Sequence, residues 1–555
     1  MLTIEKISKE LSRVLDVDEV NLDHPAEEKM GDLATNVAMM LAKMRGKNPR
    51  DLALEMADKI RNSTDLGEWI DLERVEVAGP GFINLWFKDS LLVKKLSGVL
   101  SGKSEFMIGK KVLVDYSSPN IAKRFSVGHL RSTIIGKAIL NLYSASGASV
   151  VSDNHLGDWG TQFGMIIAAV EEERLDVTKM SISDLEDLYV RFNKRIEERP
   201  DLKETAREAF ARLERGDEEA RKIWKEAVDV SMVEFHKIYE KLGVSFDYSL
   251  GESAYEEEMP EIIKMAMDKR IGVVGEGGAV VVKFEKDGVE YMPPAMLRKS
   301  NGTTTYLTRD LATIKKRLSD SNLKSDLYIY EVGSEQSLHF KQLFEIAKKI
   351  WPETAEVVFK HVAHGLLTLP EGKMSTRKGN TIKLEDLMSR AADEARAMVK
   401  SEEIDFERMG LNAIKYNELR RSPELNYVFR WEEALSMEGN SAPYINYAYV
   451  RASRIVSEQV LNFEGVQFVG EEVDLARLLF RFVDGEIVQE SAKNFAPQQV
   501  ASYLFEVAKK FNAFYDHNRV IGDVREKERL VIVRSVAEVL KRGMQLLGIE
   551  IVDRM

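Results

Sequence analysis

The sequence predicts a multidomain α/β protein. An N-terminal α/β add-on domain is expected over residues 1–105, a Rossmann-like domain with a helical insertion over 106–400, and an all-α bundle over 401–555. Three observations carry this. Residues 110–136, KKVLVDYSSPNIAKRFSVGHLRSTIIG, read as a strand, a polar loop and a helix N-terminus. Further strand-like runs alternate with helical patterns up to about residue 400. From about Phe406 the pattern is helical to the end.

The 110–136 stretch organises the rest. Lys111 to Tyr116 has the β-branched apolar content of a buried strand. Ser117, Ser118, Pro119 and Asn120 break it, and a helix follows from near Ser126 through Leu130, Ile134, Ile135 and Ala138. Doubly wound α/β folds bind nucleotides at such a strand end. Free backbone N–H groups and the helix dipole attract phosphate there. Gly128 lets a flat base or ribose come close to the backbone. An ordinary βα unit would show the same apolar pattern. It would not need Asp115, Ser117, Asn120, Lys123, Ser126, His129 and Arg131 crowded at one strand end.

Composition sets the outer limits. A chain of 555 residues allows two to four domains and a large core. Hydrophobic residues at 44% and charged residues at 31% fit a soluble globular protein. With no cysteine there is neither a disulfide framework nor a thiolate zinc site. No stretch approaches the roughly 18–20 apolar residues of a membrane span. The first residues, MLTIEKISKELSRVLDV, form an amphipathic helix rather than a signal peptide, so a cytoplasmic location without membrane contact is expected. The net charge of -12 argues mildly against a nucleic-acid partner, although local basic patches bind RNA on acidic proteins too.

Within the first 105 residues Ile4, Ile7, Leu11 and Leu15 recur at helical spacing. Asp32 to Lys43 reads as a second helix stopped by Asn48-Pro49, with Asp51 opening a third. Val75–Val77 and Phe82–Phe87 read as strands around Gly79-Pro80-Gly81. Further on, Ser149–Ser152 is a second core strand. After Gly164 comes the helical insertion, with Ser183-x-x-Glu186 as a capping box. Residues 197–225 are charged and read as a solvated helical surface. Ala279–Phe284 and Asp287-Gly288 make a hairpin, and Asn301-Gly302 another turn. Thr308-Arg309-Asp310 leads into a helix, for which Asp310 is a plain N-cap candidate. Asp326–Val332 is a core strand, and Gln336 to His339 starts a helix. His361 and His364 have no cysteine or HExxH beside them, so no zinc site is expected. Tyr444, Tyr447 and Arg451 share one helical face, where core packing and RNA stacking both remain open.

Three blocks resemble a known family. SSPNIAKRFSVGHLRST resembles the first signature of class I aminoacyl-tRNA synthetases in its arginyl form, with Ser126-Val127-Gly128-His129 in place of His-Ile-Gly-His. NHLGDWGTQFG, residues 154–164, resembles the arginyl block after the second strand. KMSTRKGN, residues 373–380, resembles the second signature, Lys-Met-Ser-Lys. Three matches in order are far more specific than any one. The resemblance implies a class I catalytic domain, a C-terminal anticodon-binding bundle and an N-terminal domain at the tRNA elbow. It implies ligation of L-arginine to its cognate tRNA at the expense of ATP. Arginine's carboxylate attacks the α-phosphate, pyrophosphate leaves, and the 2′-hydroxyl of the terminal adenosine then takes the arginyl group, releasing AMP. ATP would enter as a substrate with Mg2+, without protein-bound zinc, and a monomer is expected.

Neither step needs a protein nucleophile. The enzyme must align two anions and neutralise charge that builds on phosphate. By resemblance, Ser126, Gly128, His129, Lys373, Met374 and Ser375 hold ATP, and Lys123, Ser126, His129, Lys373 and Arg377 act on its phosphates. A guanidinium is matched best by a carboxylate. Tyr306 and Asp310 resemble the family's guanidinium pair. Asp115, Ser117 and Asn120 resemble the residues at the amino acid's other end, with Gln336 as a further contact. Asn84, Phe87, Tyr444, Tyr447 and Arg451 fall where the family touches tRNA. Two departures stand out. Ser126 brings no charge where a histidine is usual, and Thr376 replaces the second signature lysine, which leaves its task to Lys123 or Arg377. Two other readings therefore stay open: a tRNA-binding paralogue with weakened catalysis, and a class I synthetase for another amino acid.

Overall fold

The fold is taken from a computed structural model that describes residues 1–98, 100, 102–368, 384–398, 405–457, 459 and 462–554. In the N-terminal module, β1 (Leu33–Thr35), β2 (Glu76–Ala78) and β3 (Phe82–Leu85) make an antiparallel sheet in the order β1-β3-β2. The stretch from Asp32, expected as helix, therefore begins as strand. Leu33 and Thr35 are buried against β3, and the Asp32 carboxylate accepts a 2.6 Å hydrogen bond from the Phe87 amide. Only from Val37 does the chain turn helical. Asn48-Pro49 opens the next helix, Pro49–Arg61: Asn48 caps the Arg50 amide at 2.9 Å, and Pro49 stands where its missing N–H costs nothing.

The central domain is built on β4 (Lys111–Asp115) and β5 (Ser149–Asp153), joined through the helix Val127–Ala145. A hairpin region follows, with β6 (Gly272–Val274), β7 (Val280–Lys286) and β8 (Val289–Arg298) antiparallel in sequence order. The Asp287-Gly288 turn has φ of 53° and 77°, as a tight two-residue hairpin requires. The chain then adds β9 (Leu327–Gly333) and β10 (Val358–His364). The resulting sheet is parallel throughout and ordered β10-β9-β4-β5. Its central strands are buried on both faces, which is why they read as continuous apolar runs rather than alternations. From β4 the chain moves outward to β5, and from β9 to β10 on the other side. The switch point between β4 and β9 opens a crevice at their carboxyl ends.

The insertion packs helices Thr161–Glu173, Ile182–Glu198, Leu202–Glu214 and Glu218–Leu242. Its capping box is Ser181 with Asp184, two residues before the expected Ser183 and Glu186. Those two side chains instead grip Arg124 of the signature loop.

The C-terminal region is a bundle that includes Phe406–Leu419, Ala442–Val456, Glu471–Val483, Pro497–His517 and Glu526–Leu546. A short parallel pair joins it to the central domain. β11 (Leu367–Thr368), at the end of the central domain, pairs in parallel with β12 (Tyr427–Val428). The N-terminal module docks on this bundle. Phe87 packs on Phe480 with ring centroids 4.7 Å apart, and His24 meets Glu486 at 2.8 Å. Asp484 accepts from the Thr3 amide and hydroxyl at 2.6 Å each and from Lys95 at 2.7 Å.

Candidate active site

Loop geometry builds the nucleotide end of the crevice. Ser117, Ser118 and Ala122 have φ of 74°, 47° and 58°, a left-handed region that costs about 1 kcal/mol or more for a residue with a side chain. Side chains from elsewhere hold them there. The Ser117 amide donates to Ser132 Oγ at 2.9 Å, Ser118 to Asn154 Oδ1 at 3.1 Å, and Ala122 to Ser231 Oγ at 3.0 Å. The close approach of Asn120 to Gly157 is possible only because Gly157 lacks a Cβ, which would fall 2.3 Å from Asn120 Oδ1.

A cleft of about 320 Å³ results, lined among others by Ser126, Gly128, His129, Glu331 and His364. A Cβ on Gly128 would meet only Ser126 Oγ, at 3.5 Å, so its bareness keeps the cleft floor open rather than serving packing. The Ser126 amide donates to His129 Nδ1 at 3.1 Å. Nδ1 is thereby the acceptor, which assigns the ring proton to Nε2. Burial, with the Lys123 charge second, pushes His129 down to about 4, so the ring is a neutral donor at physiological pH. The cleft thus offers helix N-terminal N–H groups and a neutral N–H donor. Lys123 is partly buried, with its ammonium 5.6 Å from the Tyr189 ring, and burial lowers its pKa.

Ser117, expected at the amino-acid end, and Arg131 also border this cleft. Ser117 is 4% exposed, and its hydroxyl bonds Tyr239 Oη at 2.9 Å and Thr133 Oγ1 at 2.8 Å. An internal network holds this hydroxyl at the cleft wall. Arg131 turns to the C-terminal region, donating to Glu418 Oε1 at 2.7 Å and to the Pro423 and Leu425 carbonyls at 3.0 Å. Lys373, Met374, Ser375, Thr376 and Arg377 lie outside the described residues. Just before them, His364 Nδ1 meets Glu331 Oε1 at 2.9 Å; burial opposes its charge, but Glu331 outweighs this and raises its pKa. His361 Nε2 lies 3.0 Å from the Val332 carbonyl.

The amino-acid end is set by the helix Tyr306–Ser319. Its N-cap is Thr305, so Asp310 lies inside the helix and does not cap it. Asp310 Oδ2 is 2.5 Å from His339 Nε2, and Oδ1 is 3.9 Å from His155 Nε2. Tyr306 is exposed, with the Arg309 guanidinium 5.0 Å from its ring centre. Gln336, also exposed, precedes the helix Ser337–Ile350. Asp115 is buried: Oδ2 accepts from Arg317 Nη2 at 2.7 Å and Oδ1 from Ser118 Oγ at 3.2 Å. The same Arg317 nitrogen donates to Asp153 Oδ2 at 2.7 Å. Arg317 and His339 were not singled out from the sequence as site residues. Seven-residue spacing from Asp310 is the one local signal for Arg317.

Of the expected RNA contacts, Asn84 and Phe87 are each 3% exposed, the first below Met30 and the second against Phe480. Neither presents much surface to RNA: Asn84 is covered within its own module and Phe87 by the joint with the bundle. Tyr447 is 40% exposed and accepts from Arg451 Nη2 at 2.7 Å. The Arg451 guanidinium lies 4.7 Å from the ring centres of both Tyr447 and Tyr515, while Tyr444 is half-buried on Phe505.

Comparison with known proteins gives three matches in chain order. Residues 2–87 match the arginyl tRNA synthetase N-terminal domain, 90–431 the catalytic domain of class I (R) tRNA synthetases, and 445–555 the DALR anticodon-binding domain. The chain belongs to the arginyl-tRNA synthetase family. The arginine–tRNA ligase of Fusobacterium nucleatum is 35% identical over 559 residues, and that of Shewanella pealeana 36% over 562; each alignment covers 97% of this chain and 95% of the relative. The arginyl-tRNA synthetase structure from Plasmodium falciparum superposes with a TM-score of 0.83 at 25% identity, over 100% of this chain and 99% of that one. The Thermus thermophilus arginyl-tRNA synthetase shares the fold, with a TM-score of 0.82 at 23% identity and both chains fully covered. The protein therefore joins arginine to tRNA with ATP as substrate, by the class I adenylate route. The paralogue and other-amino-acid readings find no support in these relatives. Among the described residues no helix is long and apolar enough to cross a membrane.

Proposed function

We propose that arginine is activated in the crevice between β4 and β9, with ATP on the N-terminus of the helix Val127–Ala145 and the guanidinium on Asp310. One observation carries this reading. The same end of one parallel sheet presents a helix N-terminus faced by the neutral His129 donor and, beside it, a carboxylate held by His339. Ser126, Gly128 and His129, with Lys373, Met374 and Ser375, receive the nucleotide. Asp310 and Tyr306 take the guanidinium, Asp115 the α-ammonium through Oδ1, the oxygen not held by Arg317, and Asn120 and Gln336 the remaining polar atoms. Arginine's carboxylate attacks the α-phosphate as pyrophosphate departs. His129 Nε2–H stabilises a phosphoryl oxygen in that transition state. Tyr444, Tyr447 and Arg451 form a tRNA-facing surface, a stacking platform with a cation on it. Mg2+ enters on ATP. Bound with ATP, it would add positive charge at the phosphates. The enzyme works as a cytoplasmic monomer.

ATP–pyrophosphate exchange with each amino acid, with and without tRNA, tests the reading. Exchange is expected with arginine only, and little of it before tRNA binds. Full exchange in RNA-free protein, or exchange with a neutral amino acid, would contradict it.

Lys123 is assigned the charge that Thr376 does not provide, a role supported by the bearing of its charge on His129. Lys123→Ala should lower the activation rate by roughly 10²–10³-fold, the usual loss for one electrostatic stabiliser. The KM for arginine should stay near its original value, because the contact is to phosphate. Thr376→Lys in that background should recover part of the rate. Near-normal single-turnover adenylate formation by Lys123→Ala would hand the task to Arg377.

A further inference from the structure

The helix Tyr306–Ser319 carries two charged groups seven residues apart, and seven residues return to the same helical face. One is Asp310. The other is Arg317, whose side chain is 0% exposed and whose Nη2 alone donates to Asp115 Oδ2 and Asp153 Oδ2, both at 2.7 Å. The two lie about 10 Å apart along the helix axis, at about 1.5 Å per residue. With the substrate guanidinium on Asp310, as proposed above, the Arg317 cluster stands at the far end of the same helix face.

Free arginine carries a cation at each end. A pair of carboxylates offers a planar guanidinium more hydrogen-bond acceptors than one carboxylate can. Without Arg317, the ends of β4 and β5 would present such a pair. Arginine bound there by its guanidinium would turn its own carboxylate away from the nucleotide and could not react. A purely structural role fits the geometry less well. Two carboxylates share one nitrogen, while Arg317 Nε and Nη1 and Asp153 Oδ1 have no hydrogen-bond partner among the described residues. Buried ion clusters left incomplete in this way stabilise a fold poorly.

We propose that Arg317 is a positioning residue that fixes the direction in which arginine binds, by occupying with its own guanidinium the two-carboxylate seat of Asp115 and Asp153. The inference rests on Asp310 as the acceptor of the substrate guanidinium.

Pyrophosphate exchange by Arg317→Ala, with saturating ATP and tRNA, tests it. kcat should fall at least about tenfold, and the KM for arginine should fall with it, leaving kcat/KM within about threefold. That split marks a substrate held in a non-reacting orientation. Guanidinium ion, added well below denaturing concentrations, should fill the seat and restore kcat. Arg317→Lys keeps a cation in place and should hold kcat within about threefold. A rise in KM at unchanged kcat, or no response to guanidinium by a folded Arg317→Ala protein, would overturn the proposal. Should that variant not fold, Arg317→Gln, which removes the cation but leaves both carboxylates of Asp115 and Asp153 in place, is read in the same way. A parallel Asp310→Ala arm keeps the two claims apart. Unchanged arginine KM there removes Asp310 from the site. Loss of arginine use there, with wild-type kinetics in Arg317→Ala, removes only the orienting role.

Discussion

Asp310→Ala should abolish practical use of arginine while leaving ATP binding intact. The carboxylate is 26% exposed and already oriented by His339, so the guanidinium it meets would be largely out of water. Losing one partner of such a pair costs about 3–5 kcal/mol, or roughly 10²–10⁴-fold in kcat/KM. The effect should be specific to the amino acid, because the nucleotide lies on the Val127–Ala145 helix and not on this one. Pyrophosphate exchange against arginine concentration gives the first quantity, and equilibrium dialysis of ATP the second. Unchanged arginine kinetics would exclude Asp310, and parallel loss of ATP binding would mean the crevice had collapsed. Asp310→Asn keeps the shape and the His339 contact but not the charge, and should be impaired almost as much.

Arg131→Met should destabilise the protein by about 3–5 kcal/mol, the usual result of orphaning a buried charge. Arg131 and Glu418 are 1% and 3% exposed, and Tyr427 Oη completes the pair by donating to Glu418 Oε2 at 2.7 Å. Burial already holds the Glu418 carboxyl above the usual carboxylate range, with Arg131 pulling the other way. Removing Arg131 raises it further, so the variant folds with a proton on Glu418 that the unfolded chain gives up near pH 4.5. The sign follows from linkage. A folded-state pKa raised above the unfolded value favours folding at low pH, and that advantage is lost as pH rises towards the folded pKa. Relative to the parent, Arg131→Met should therefore be least stable at alkaline pH and recover on acidification. Thermal unfolding at a series of pH values checks this. A loss independent of pH would mean that the aliphatic packing of Arg131, and not its charge, was the important contribution. Activity should fall too, since Arg131 stands two residues after His129 on the nucleotide helix.

The strand, loop and helix of residues 110–136 were readable because each signal is local: a β-branched run, a cluster of turn residues and a helix start. The same holds for the Asp287-Gly288 hairpin and the bundle helices. The corrections share the opposite property. Nothing near Arg317 announces its partners, which lie 202 and 164 residues away. Asp32 to Thr35 has the composition of a helix start, yet β3, some fifty residues on, captures it as an edge strand. Ser183 and Glu186 have the spacing of a capping box, and a loop arginine from a different part of the fold claims them. Phe87 looks like a stacking ring until Phe480 covers it. In each case tertiary contact outweighs a local preference of about 1 kcal/mol.

The docking of the N-terminal module on the bundle also bears on how this protein can be dissected. Cutting the chain after residue 87 would do more than remove a possible RNA contact. It would bare Phe480, leave Asp484 without Thr3, and leave the largely buried Glu486 without His24 and Arg477 without Asp32. Such a truncate would lose tRNA affinity through a damaged anticodon-binding bundle as well as through the missing module, and binding data alone would not tell the two apart. The two ends of the sequence behave as a single jaw, so a chimaera exchanging either half with another family member needs both faces of that joint from the same parent.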